Sequence, residues 1–206
     1  MNQDSQHLGM GARIGIGFIL VLILMLALGA IGLRYVAEAN QRLKNIAQNN
    51  NVKTELATQM HSALRERALS MHVLPILTDP FEKDEEVQHF NAQGALYVQA
   101  RDRLESLSLN PQERETLAHI LALTREAQPE VQAVVEMSMF TDDQAQIFER
   151  IRSVAMPRQR AIADQVSALI DLQREQTAAA VRAAETSYVG VRNLMLGLGA
   201  SALLIG

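Results

Sequence analysis

The chain has no cysteine and no tryptophan, and only 3 tyrosines and 5 phenylalanines. Without cysteine, disulfides and cysteine-ligated metal or iron–sulfur sites are excluded, although that absence does not identify a compartment. Glycine and proline are sparse between residues 34 and 192, where Ala, Leu, Gln, Glu and Arg dominate. That balance favours helix over sheet. Enzyme signatures are missing too: there is no P-loop, no GxSxG, no HExxH and no cysteine nucleophile. No catalytic residue is assigned, and no cofactor or metal is expected. Segment 34–192 is modestly acidic, which argues against a nucleic-acid partner.

Charge of either sign is also absent from residues 14–33, an apolar run (IGIGFILVLILMLALGAIGL) held between Arg13 and Arg34. About 20 such residues match the hydrocarbon core of a bilayer if helical. The run is longer than a secretory h-region, and helix-forming sequence (RYVAEANQRLKNIAQ) follows it directly, so an uncleaved signal-anchor is expected. A second run, LMLGLGASALLIG at 194–206, follows Arg192 and is about half a span long. The expectation is a cytoplasmic tail at 1–13, a transmembrane helix at 14–33, a soluble domain at 34–192, and the start of a second span at 193–206. A chain cut inside that second span, with an output module missing beyond it, is the matching expectation. The short tail carries Arg13 and one acid, Asp4, so it is placed inside and the large domain outside.

Three places in the soluble segment start helices with one grammar. Asp79-Pro80-Phe81-Glu82 and Asn110-Pro111-Gln112-Glu113 each offer a cap, a proline at the first helical position and an acid two residues later. Thr141-Asp142-Asp143-Gln144 reads as a capping box with acids in the first turn. These signals predict helices over 34–77, 80–107, 111–140 and 142–192. At 1.5 Å per residue the first and last are about 65–75 Å long and the middle two about 40–45 Å. An all-α, up-down-up-down four-helix bundle accommodates these lengths, its long first and fourth helices continuing into the transmembrane helices. Apolar seams support it: Ile46, Met60, Leu64, Met71 and Leu74; Val87, Phe90, Val98 and Leu104; Leu117, Leu121, Val131 and Val135; Phe148, Ile151, Ile162, Leu169 and Leu172.

Arginine is the residue type that stands out on these seams. Arg67 lies between Met60 and Met71, and Arg158 between Ile151 and Ile162, at core spacing. A buried charge needs a partner, so each implies either an internal ion pair or an anionic ligand gripped by a guanidinium fork. Arg65 is about 200° from Arg67 round the helix and cannot face the same core. With His61 and His72 it forms a stripe facing solvent or a second subunit. Pro129 and Pro157 fall at about the height of Arg67 in the bundle, where either kinked helices open space or Pro157 simply starts the last helix after a short irregular link at 153–156. The histidines do not make a metal site: His61 and His72 are about 16 Å apart along their helix.

The run from Leu64-Arg65-Glu66-Arg67-Ala68 to Asp79-Pro80-Phe81-Glu82-Lys83-Asp84-Glu85, with the two apolar runs and the short central hairpin, resembles the four-helix-bundle sensor domain of methyl-accepting chemotaxis receptors and related bacterial membrane sensors. The resemblance implies an inner-membrane protein with a periplasmic sensor domain, usually a homodimer. It also implies a small carboxylate ligand or a periplasmic binding protein, and output through chemotaxis signalling, a histidine kinase or cyclic-di-GMP turnover. Arg65 and Arg67 lie in the region where such sensors hold ligand carboxylates, with Arg158 as a further candidate. A scaffold bundle that senses nothing is the alternative, separated from a sensor by the lack of a cavity.

Overall fold

The computed structural model describes residues 10–45, 49–141 and 143–205, and the chain falls into two compact units, Met1–Asn45 with Ala178–Gly206, and Ile46–Thr177. The helices in chain order are α1 (Met10–Asn45), α2 (Asn51–Val73), α3 (Pro80–Glu105), α4 (Pro111–Phe140), α5 (Gln144–Arg150) and α6 (Met156–Ile205). A 3-10 turn (Leu74–Ile76) follows α2, and a π turn (Ile151–Ala155) joins α5 to α6. Among the described residues there is no strand.

The larger unit is an all-α four-helix bundle of α2, α3, α4 and the first part of α6. One core cluster draws Met60 and Leu64 from α2, Tyr97 and Leu104 from α3, Leu117 and Ile120 from α4, and Ile162 and Leu169 from α6. A second holds Met71, Leu74, Phe90, Val131, Val134, Ile147 and Ile151. Full burial of such side chains stabilises by about 1.5–3 kcal/mol each. The expected caps at 79 and 110 are present. Asp79 accepts from the Phe81 amide at 2.7 Å. Asn110 and Glu113 form a reciprocal capping box, at 2.9 Å and 2.8 Å.

Four expectations are corrected. First, the helix expected over 34–77 is not α-helical throughout: residues 49 and 50 form a π turn, and α2 gives way to the 3-10 turn at Leu74–Ile76. Asn49, Asn50 and Asn51 are weak helix formers whose side chains compete for backbone hydrogen bonds. Residues 46–48, including Ile46 of the expected seam, lie outside the described residues. Second, Thr141 closes α4 instead of opening the next helix. Its amide donates to Met137 O, and Asp143 caps α5 by accepting from the Gln146 amide at 3.0 Å; Asp142 lies outside the described residues. Third, the helix expected over 142–192 is interrupted. Pro157 has no N–H, and its ring would press on the carbonyl four residues back. The π turn absorbs this, the Met156 amide reaching Ile151 O, five residues back. That longer turn moves the seam on by one residue, so Gln159 is buried and Arg158 is exposed. Fourth, Val98 is 41% exposed; the seam of α3 runs through Phe90, Tyr97, Ala100 and Leu104, and Val98 lies about 100° away.

In the smaller unit α1 packs antiparallel to residues 178–205 of α6. Tyr35 and Tyr188 meet with ring centroids 6.3 Å apart, and a Cβ on Gly32 would lie 3.1 Å from Met195 Cε. Phe18, Ile23, Leu26, Leu33 and Leu196 are each more than half exposed. Among the described residues no helix is long and apolar enough to cross a membrane. The apolar run at 14–33 includes positions 14–17, 20, 21 and 24, whose side chains lie outside them.

Candidate functional site

The spacing Met60, Leu64, Arg67, Met71, Leu74 puts a guanidinium on the buried seam of α2, between the two core clusters. Arg67 is only 9% exposed. Among the described residues it forms no ion pair or hydrogen bond, and its Nε is buried without a partner. It stacks on Phe90, the Cζ standing 4.2 Å from the ring centroid. A desolvated cation–π contact is worth about 2 kcal/mol. Burying a cation costs several kcal/mol even after relaxation, so the ring offsets only part of that cost. Desolvation accordingly pushes the Arg67 pKa below its ordinary value, against a smaller opposing influence of Tyr97.

The guanidinium has a way out. It passes Gly94 of α3, where an added Cβ would lie 3.6 Å from Cζ and 3.7 Å from Nε. Beyond lies a groove of about 850 Å³ lined by α3 and α4. Asn91, Gly94 and Val98 line it from α3, and Leu121, Arg125 and Gln128 from α4, with Arg67 reaching it from α2. The Tyr97 hydroxyl lies 3.0 Å from Thr124 Oγ1. Thr124 donates its single proton to Ile120 O at 2.8 Å, so Tyr97 is the donor in that pair. Burial pushes the Tyr97 phenol up, with the Thr124 hydrogen bond opposing. Behind the groove a cavity of about 20 Å³ touches Arg67, Gln128 and Gln159. Gln159 donates from Nε2 to Leu64 O at 2.7 Å and leaves its Oε1 unpartnered.

A second buried charge behaves differently. Glu113 is fully buried, but Lys53 Nζ donates to its Oε2 at 2.8 Å and Gln173 Nε2 to its Oε1 at 2.7 Å. The Asn110 amide also donates to Oε2. That carboxylate is satisfied internally and holds α2, α4 and α6 in register. Arg67 is not satisfied, and that difference separates a structural charge from a candidate binding group.

Of the three arginines singled out in the sequence, the structure brings only Arg67 into the groove. Arg65 is exposed and points elsewhere, its Nη2 3.3 Å from Glu66 Oε1. Arg158 is exposed on α6, where Nη1 meets Glu130 Oε1 at 3.3 Å and donates to Glu126 O at 3.3 Å, in the turn before Pro129. Arg150 holds the other oxygen of Glu130 at 2.6 Å. The cations that share the groove with Arg67 are Arg101 and Arg125. Sequence reasoning missed both. The available signal was Gly94, a glycine inside a helix where alanine is favoured by about 1 kcal/mol. Among the described residues no cluster of His, Asp and Glu could hold a metal ion.

The larger unit is thus a four-helix bundle in which Arg67, buried and unpaired, opens into a lateral groove. Residues 7–188 match the family described as a four helix bundle sensory module for signal transduction, and the chain belongs to that family. The family is one of signal transduction, not of catalysis. A solved structure described as the periplasmic sensor domain of a sensor histidine kinase is similar, with a TM-score of 0.56 and 16% identity over 68% of this chain and 94% of that one. Likeness at that identity shows the fold. Comparison with curated proteins gives no match.

Proposed function

We propose that this chain is the sensing part of a membrane receptor, anchored through residues 14–33 and 193–206, with its bundle in the periplasm. The ligand is a small carboxylate held by Arg67 in the groove between α3 and α4. The observation that carries this reading is the buried, unpaired guanidinium of Arg67 beside Gly94. A carboxylate supplies the missing charge and the missing hydrogen bonds at once. The anchoring rests on the uncharged run at 14–33 and on the many large apolar side chains exposed in α1, which a bilayer covers.

Signalling in this reading is a shift between helix arrangements. Packed interfaces are bistable, so a ligand that favours one arrangement moves the population. Gln159 of α6 shares a cavity with Arg67, and α6 is a single helix from Met156 to Ile205. A change at the groove therefore has a short route to the helix that includes the second apolar run. We further propose a chemoreceptor-like homodimer through the exposed face of α2 carrying Arg65 and His72.

Calorimetric titration of the full chain in lipid nanodiscs tests the ligand. Some member of a panel of small carboxylates is expected to bind. Arg67→Met is expected to weaken it by about 1.5–3 kcal/mol, ten- to a hundred-fold. The variant should be at least as stable as the wild type, because it removes a buried charge that has no partner. A wild-type chain that binds nothing in the panel favours the scaffold reading.

A further inference from the structure

The groove at Arg67 also selects among carboxylates, and this step rests on the sensing reading above. The first selecting feature is the scarcity of negative charge. Of the residues lining the groove only Asp102 is acidic. It is already held by Arg101, which donates to its Oδ1 from Nε at 2.8 Å and from Nη2 at 2.6 Å. Asp102 is also distant from the binding cation. Gly94 marks where Arg67 enters, and eight residues of helix separate it from Asp102, about 12 Å. An α-amino acid carries its ammonium two bonds from its carboxylate carbon. With the carboxylate on Arg67, that ammonium cannot reach Asp102. It would sit instead beside the guanidinium of Arg67, like charge against like charge.

The second feature is the wall. Val98 leaves the α3 seam and is 41% exposed, and Ala95 and Leu121 line the same groove. Arg101, held by Asp102, and Arg125 line it too, and both add positive charge, while the apolar surfaces favour an apolar body on the ligand. Apart from Arg101, Asp102 and Arg125, the polar groups that line the groove with Arg67 are neutral: Asn91, Tyr97, Gln99, Thr124 and Gln128. They can orient a carboxylate but offer no counter-charge to a cation.

From these features we infer that the ligand is a carboxylate with an apolar body and no ammonium group. The site takes deaminated acids and rejects the corresponding amino acids. The difference belongs to this chain's own residues: an unpaired Arg67, a committed Asp102 and an apolar α3–α4 wall.

Matched pairs test it. The full chain in nanodiscs is titrated calorimetrically with 3-phenylpropanoate against phenylalanine, and with 4-methylpentanoate against leucine. Each pair differs only by the ammonium group. Acetate serves as a carboxylate without a body. The deaminated acid of at least one pair is expected to bind, with its amino acid and acetate each at least about ten-fold weaker, a gap of 1.4 kcal/mol. Amino acids that bind as tightly as their partners, with binding lost in Arg67→Met, overturn this inference and leave the sensing reading standing. Acetate that binds as tightly as the longer acids overturns the apolar body. Carboxylates that all fail to bind overturn both readings together.

Discussion

Arg67 lies against Gly94 of α3 and over the Phe90 ring. A glycine in the interior of α3 costs helix stability, and a Cβ there would make only ordinary contact with the guanidinium, 3.6 Å from Cζ. Gly94→Ala is therefore expected to stabilise the bundle by about 0.5–1 kcal/mol in a chemical melt. A clear loss of stability would show that the guanidinium has no room to yield. Arg67 was legible in the sequence, because four apolar seam positions, Met60, Leu64, Met71 and Leu74, bracket it at alternating spacings of four and three residues. The groove was not. It depends on Val98 falling outside the seam and on Arg101 and Arg125 standing on different helices, and periodicity within one helix does not report on either.

A polar contact helps to fix the register of the helices. Lys53 of α2, Glu113 of α4 and Gln173 of α6 meet in the core, and Glu113 also closes the capping box of α4. Lys53→Met leaves Glu113 buried without its counter-charge and is expected to cost about 3–5 kcal/mol. Adding Glu113→Gln removes the orphaned charge, so the double variant should recover part of that loss. Purely additive losses would contradict the account of the triad as one unit. At this scale the sequence was read well where a cap and a proline coincide, as at Asn110-Pro111. It was read less well at Pro157, which follows a π turn. A π turn has no sequence grammar of its own, since it is defined by which carbonyl an amide chooses. Counting the α6 seam across it at α-helical period therefore landed on Arg158 instead of Gln159.

For the whole molecule, the proposed membrane placement rests on the uncharged run at 14–33. A charge at the centre of a membrane helix costs about 2.5–3.5 kcal/mol on an insertion scale. Ile23→Arg is expected to move the chain from the membrane fraction to the carbonate-extractable one. Unchanged membrane retention would contradict anchoring through this run. The absence of native cysteine makes single-cysteine scanning along α2 direct. Cross-links that recur every three or four residues around Arg65 and His72 are expected for the homodimer, and uniform absence of cross-links would contradict it. The all-α class and the up-down-up-down order were legible because three cap signals divide the segment into helices of unequal length. The π turn at residues 49 and 50 was not, since only weak propensity marks it.

The central claim is that Arg67 is the group that meets the ligand, and its own Nε–H is the most direct witness. The full chain labelled with 15N-arginine gives one Nε–H resonance that Arg67→Met removes, which assigns it. Titration with 3-phenylpropanoate is expected to shift that resonance markedly, because a buried N–H without a partner gains a carboxylate acceptor. The resonances of Arg65 and Arg158, already engaged with Glu66 and Glu130, should stay in place. An Arg67 resonance that stays fixed while Arg65 or Arg158 moves would contradict the account.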